Sequence, residues 1–110
     1  MRRLPERYAA LELRHLEQLY LTSAGGDIHQ AFSYAVPYAH VAANAGPDTQ
    51  IRSFLDARQG GLERLGAGGF IGCGRRLADE ALQLLLAPNC PSGTRDLLLM
   101  PAQMMRQIHE

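Results

Sequence analysis

Asp27-Ile28-His29-Gln30-Ala31-Phe32-Ser33-Tyr34-Ala35-Val36-Pro37-Tyr38-Ala39-His40-Val41-Ala42-Ala43-Asn44-Ala45, followed by Gly46-Pro47, is the stretch on which the reading of the fold turns. No residue between Asp27 and Asp48 is charged, and Ile28, Phe32, Tyr34, Val36, Tyr38, Val41 and the alanines spread apolar surface around most of a helical circumference. Asp27 is a suitable N-cap, Gly46 a left-handed terminator, and Pro47 a residue that cannot continue a helix. The stretch predicts a central helix over 28–45, kinked or divided in two at Pro37, where a ring nitrogen replaces a backbone donor. His29, Ser33, His40 and Asn44 make it too polar to read as a membrane span.

Outward from it, Pro5 to Thr22 predicts a first amphipathic helix, with Tyr8, Ala9, Leu13, Leu16, Leu19 and Tyr20 on one stripe and Gly25-Gly26 as its stop. Downstream, Asp48 caps a third helix carrying Ile51, Phe54, Leu55, Leu62 and Leu65, whose stripe keeps its phase across Gly60-Gly61. The glycine-rich run 66–74 is expected to be a loop. A fourth helix is expected from Arg75 to Ala87. After a second loop, Thr94 opens a last segment in which Leu97, Leu98, Pro101, Met104, Met105 and Ile108 share a face, as one helix kinked at Pro101 or as two short ones.

Composition points the same way. Val36, Val41, Ile28, Ile51, Ile71, Ile108, Thr22, Thr49 and Thr94 are the whole β-branched set, while Leu and Ala dominate the apolar residues. The expectation is an all-α fold: one helical domain over 1–110, a bundle of four to five helices, two of them kinked at Pro37 and Pro101. With 46% hydrophobic and 20% charged residues, the chain has the composition of a folded domain.

All basic residues are Arg, and 11 of them balance 11 acids to a formal net charge of zero. A nucleic-acid partner is therefore not expected, since phosphate neutralisation calls for a basic excess. Pro5, Glu6 and Arg7 interrupt the place where a signal peptide would carry its apolar segment. Cys73 and Cys90 form no metal-finger spacing, so reduced thiols in a cytoplasm are expected. Of the two, Cys73, beside Arg75 and Arg76, reads as the more reactive.

Several residues stand out as candidate chemistry. Gly72, Gly74, Arg75 and Arg76 resemble a phosphate loop only loosely, because Arg75 stands where the lysine belongs and Arg76 where the hydroxyl belongs. What they offer is anion binding at a helix start. Glu12 and His15 have the ExxH spacing of a carboxylate-bridged metal pair without the second pair such a site needs, so no metal and no cofactor are expected. Glu12 lies within the apolar stripe of the first helix and Arg58 within that of the third, which makes them candidates to pair at an interface. Leu97, Met100, Met104, Met105 and Ile108 present a shape-adaptable face suited to a protein partner.

The function expected from these residues is non-enzymatic: a homodimer that binds and sequesters a protein partner, as a regulator, anti-activator, inhibitor or escort chaperone. The alternative is a helical module that binds a small ligand or metal through the glycine-rich loop or the Glu12/His15 pair.

Overall fold

Within Asp27–Ala45, the side chains of 31–40 alternate in size rather than in polarity. Phe32, Tyr34, Val36, Tyr38 and His40 are large, and Ala31, Ser33, Ala35, Pro37 and Ala39 stand between them. A period of two belongs to a strand, whose successive side chains point to opposite faces. In the computed structural model, which describes residues 3–109, this stretch is strand β2 (Asp27–Ala45), the centre of a four-stranded antiparallel sheet. β1 (Arg3–Leu21) pairs along one side of it, from Leu21↔Asp27 to Glu6↔Ala42, with a bulge between Arg3 and Glu6. β3 (Asp48–Leu55) and the two-residue β4 (Arg58–Gln59) pair along the other. Three short helices follow: α1 (Arg64–Ala67), α2 (Cys73–Leu84) and α3 (Pro101–His109). The expected all-α bundle is thus overturned, with its four to five helices replaced by a sheet and only α2 and α3 falling where helices were expected.

The expected helix stops turn out to be hairpin turns. Gly25 lies at φ +88° in the loop joining β1 to β2, where Thr22 N–H donates to the Gly26 carbonyl (2.9 Å). Gly46, at φ +66°, and Pro47 form the two-residue link between β2 and β3, opened by the pair Ala45↔Asp48. A glycine of positive φ followed by a proline of fixed φ serves a tight hairpin as well as it serves a helix end.

Pro37 interrupts pairing instead of kinking a helix. Its carbonyl accepts from Asp56 N–H (3.3 Å), so its missing donor faces the same side. The third strand breaks there into β3 and β4, which keep one register across the gap: Tyr38↔Leu55 before it, Ala35↔Arg58 after it, and Gly60 N–H donating to the Ser33 carbonyl (2.9 Å) beyond. Gly60-Gly61 accordingly ends a strand and does not sit within a helix. Pro101 begins α3, the helical position that has no use for its absent donor, and does not kink it. Within the run 66–74, the residues Gly66 and Ala67 lie in α1 and Cys73 and Gly74 in α2, so the expected loop is shorter than its glycines suggested.

α2 packs on the small-residue face of β2. Ala35 and Ala43 are 0% exposed and Ala81 of α2 is likewise 0%, with Ala39, Val41, Cys73 and Leu77 forming the buried cluster. Phe54 and Phe70 close one side of it, their rings 5.9 Å apart. Glu80 ties helix to sheet, accepting from Arg52 of β3 (2.8 Å) and from Arg76 one turn back (2.9 Å). The core covers only one end of a long sheet. The radius of gyration is 19.8 Å and the extents 66 × 36 × 24 Å, where a compact chain of this length would have a radius of about 13 Å.

Two outcomes follow from this packing. Leu77 is the largest fully buried side chain, and Leu77→Ala should lower the free energy of unfolding by about 2–5 kcal/mol, read from urea denaturation. Glu80 is held below the ordinary glutamate range, first by the Arg76 hydrogen bond and then by Arg52. A carboxylate lowered in the folded state stabilises above its unfolded value and loses that contribution as pH falls through the folded one. Stability should therefore decline on acidification through the glutamate range, and Glu80→Gln should flatten that part of the profile.

Candidate functional site

The sheet has two unlike faces. On one, α2 covers the end near Ala39 and Val41. The other carries Tyr8, Leu16 and Tyr20 from β1, Ile28 and the large side chains of β2, and Ile51 and Leu55 from β3, and none of these is buried. Tyr8 is 52% exposed, Tyr20, Ile51 and Leu55 each 59%, Ile28 50% and Leu16 49%. An apolar face of this extent on three strands is unusual for a surface that meets only water.

Tyr8, Phe32, Tyr34 and Tyr38 make ring contacts on this face. Tyr8 stacks on the His40 ring with centroids 5.5 Å apart and meets Tyr38 at 6.1 Å, while Phe32 stacks on Tyr34 at 6.3 Å. His40 Nε2–H donates to Glu6 Oε1 (2.7 Å), which leaves Nδ1 to accept from the Tyr38 hydroxyl (3.2 Å). Beside them an open groove of about 720 Å3 is lined by Leu16, Tyr34, Val36 and Gln59 among others. Arg14 Nε–H donates to Glu12 (2.6 Å), and this bond lowers the glutamate and raises the arginine from their ordinary values.

The strand assignment rearranges the residues singled out in the sequence. Glu12 and His15, three positions apart, share a helical face but stand on opposite faces of β1. They cannot meet one metal ion, and among the described residues no three His, Cys, Asp or Glu side chains gather as a metal site. Arg58 pairs with Asp56 (2.8 Å) on the α2 side of the sheet, away from Glu12. Leu97, Met100, Met104, Met105 and Ile108 are exposed, α3 burying none of its residues. Gly72, at φ +85°, is the N-cap of α2, with Gly74, Arg75 and Arg76 in the first turn and Arg76 already engaged by Glu80. Cys73 is buried and Cys90 exposed, the reverse of the expected order of reactivity.

Two features were missed in the sequence. An open apolar cleft of about 560 Å3 lies where the edge of β1 meets the start of α2, lined by Leu4, Ala9, Phe70, Ile71 and Leu77 with Arg7 and Arg75 at its rim. At the other end of the same face, His15 Nδ1 accepts from the Ser33 hydroxyl (3.0 Å) and Nε2–H donates to Glu17 (3.2 Å). That order of groups resembles an acid-base relay, but His15 and Glu17 are 60% and 62% exposed, and water would solvate any charge developing at Ser33. The contacts bind β1 to β2 near the hairpin tip. Both features depend on cross-strand pairing, which a helical wheel cannot show.

Comparison with protein-family models, with curated proteins and with solved structures finds no match to this chain.

The thiols give a direct check on the placement of α2. Cys90 should react with a maleimide at the rate of a free cysteine, while Cys73 should stay protected until denaturant unfolds the chain, as followed by mass spectrometry of the labelled protein.

Proposed function

We propose that the chain is a non-enzymatic interaction protein that binds a protein partner on the uncovered face of its sheet, as a regulator or escort does. The observation that carries this reading is the row Tyr8, Leu16, Tyr20, Ile28, Ile51 and Leu55, each exposed by about half or more on one face. Burying aromatic and aliphatic side chains of this size is the main favourable term in protein association. The stacked pairs around Tyr38 and Phe32 lower the entropy lost on binding, because those rings are already ordered. α3, with Met104 42% and Met105 63% exposed, adds a second apolar surface with adaptable side chains.

A photo-crosslinking residue placed at Ile51, on the uncovered face, should capture in its own cells one protein of fixed mass, in stoichiometric amount. The same residue at Gln50, whose side chain points to the other face, should not. The triple variant Tyr20→Ser/Ile51→Thr/Leu55→Thr should keep the strand signal in circular dichroism and lose that capture. Equal capture from both positions, or capture from neither, would exclude this face as the binding surface.

A further inference from the structure

β1 is an edge strand 19 residues long. Ser33 and Pro37 turn their backbone groups toward β4 and β3, so by alternation the even-numbered residues of β2 face β1. Their partners on β1 are also even-numbered. The odd-numbered residues of its regular part, Arg7 to Leu21, therefore point their N–H and C=O groups outward, where among the described residues no strand meets them. Such an edge is a template for another strand.

We infer that the strand it takes is β1 of a second copy, antiparallel across a two-fold axis at Leu13. The inference rests on the reading above that the chain works through protein contacts. Three features of β1 and its surroundings select this occupant and this register. Outward groups must face outward groups, which restricts pairing to odd opposite odd. With Leu13 opposite Leu13 of the second copy, Glu12 stands opposite Arg14 and Arg14 opposite Glu12, on one face. Each of these residues already pairs with its neighbour along its own strand at 2.6 Å, so the four side chains close a ring of alternating charge. Of the adjacent registers, one sets Arg14 against Arg14, and the other sets Glu12 against Glu12 at the axis, so that it places Arg7 opposite Glu17 but forgoes the ring that Glu12 and Arg14 close. A register that brings Glu6 opposite Arg14 runs the bulge at residues 4 and 5 against His15 and Leu16, where regular pairing is lost.

The third observation lies on the opposite face. Leu19 and Leu21, 61% and 63% exposed, project beyond the reach of α2 in their own chain. In the two-fold register Leu19 stands opposite Arg7 of the second copy and Leu21 runs toward that copy's bulge, beside the open apolar cleft lined by Leu4, Phe70 and Ile71. Ile71, 69% exposed, has an apolar neighbour there. Because the contact is isologous, each of these complementarities occurs twice. The two sheets become one continuous sheet, and their uncovered faces merge into a single surface of doubled length.

Sedimentation equilibrium across a concentration series tests the pairing. The full chain should dimerise. Glu12→Arg and Arg14→Glu, each of which opposes like charges twice across the axis, should each raise the dissociation constant by at least about tenfold. The double variant, which restores alternating charge with the signs exchanged, should return close to the original value. In a Cys90→Ser background, Leu13→Cys should be joined to its counterpart by a short bis-maleimide, while Gln50→Cys should not. Circular dichroism of each variant checks that the strands persist. Dimerisation that neither single variant weakens, or a double variant as weak as the singles, would overturn the register. A full chain that stays monomeric would overturn the pairing altogether, yet leave the capture at Ile51 standing, so failure here is distinguishable from failure of the partner-binding reading.

Discussion

The contact between α2 and β2 sets what the rest of the chain can do. Leu77 reaches the sheet at Ala39 and Val41, on a face of β2 where Ala35 and Ala43 are also small and fully buried. Small side chains on one face of a strand let a helix approach closely enough for dispersion contacts, whose strength falls steeply with distance. The same alternation sends the large side chains of β2, Phe32, Tyr34, Val36 and Tyr38, to the face without a helix. One strand thus provides the seat of the core on one face and, on the other, the half-buried centre of the apolar surface whose more exposed members come mainly from β1 and β3. Pro37 fits this arrangement without loss to β1, because its carbonyl and its missing donor both face the third strand, the shorter and already interrupted side of the sheet.

Much of this was legible in the residues, but under the wrong period. The apolar and uncharged character of 28–45, its central place, its breaks at Gly25-Gly26 and Gly46-Pro47, and the special role of Pro37 all emerge from the sequence. What decides between helix and strand is the large-small alternation of β2. A polarity pattern hides it, because alanine counts as apolar alongside tyrosine and valine. β1 is harder still: Leu, Glu, Arg, Ala and Gln favour a helix in isolation, and strand structure there depends on pairing with β2, a tertiary effect that outweighs propensity. The wrong period also misassigned neighbours. Residues three or four apart share a face in a helix and generally do not in a strand, so Glu12 loses His15 and gains Arg14, two positions on. Arg58 likewise pairs with Asp56 at the same spacing. By contrast, α2 was visible because its amphipathic pattern is strong and a glycine-rich run precedes it. The burial of Cys73 was not, since a glycine-rich neighbourhood says nothing about which face of a helix meets a sheet.

The long hairpin carries the least internal support. Beyond Ser33 the sheet narrows to β1 and β2 alone, and a two-stranded ribbon in water is marginal without a packed face. Here the ribbon is pinned by polar pairs that span it, Gln18 with Gln30 (2.6 Å) and His15 with Ser33 (3.0 Å), while Leu13, Leu19 and Tyr20 remain exposed. Exposed polar pairs contribute little each, because water competes for both partners. The free energy that would order the ribbon firmly must come from apolar area, and no residue of the ribbon is fully buried within one chain. A strand added along the free edge of β1 would pair its open backbone groups and bring apolar side chains against Leu13 and Leu19 together. The local stability of the ribbon and the occupancy of its surfaces are thereby linked quantities: any partner that binds the ordered ribbon and not the frayed one shifts the equilibrium toward order by its differential affinity. Fraying in turn lowers the apparent affinity of every partner that reads this region, which ties recognition on the sheet face to whatever meets the edge.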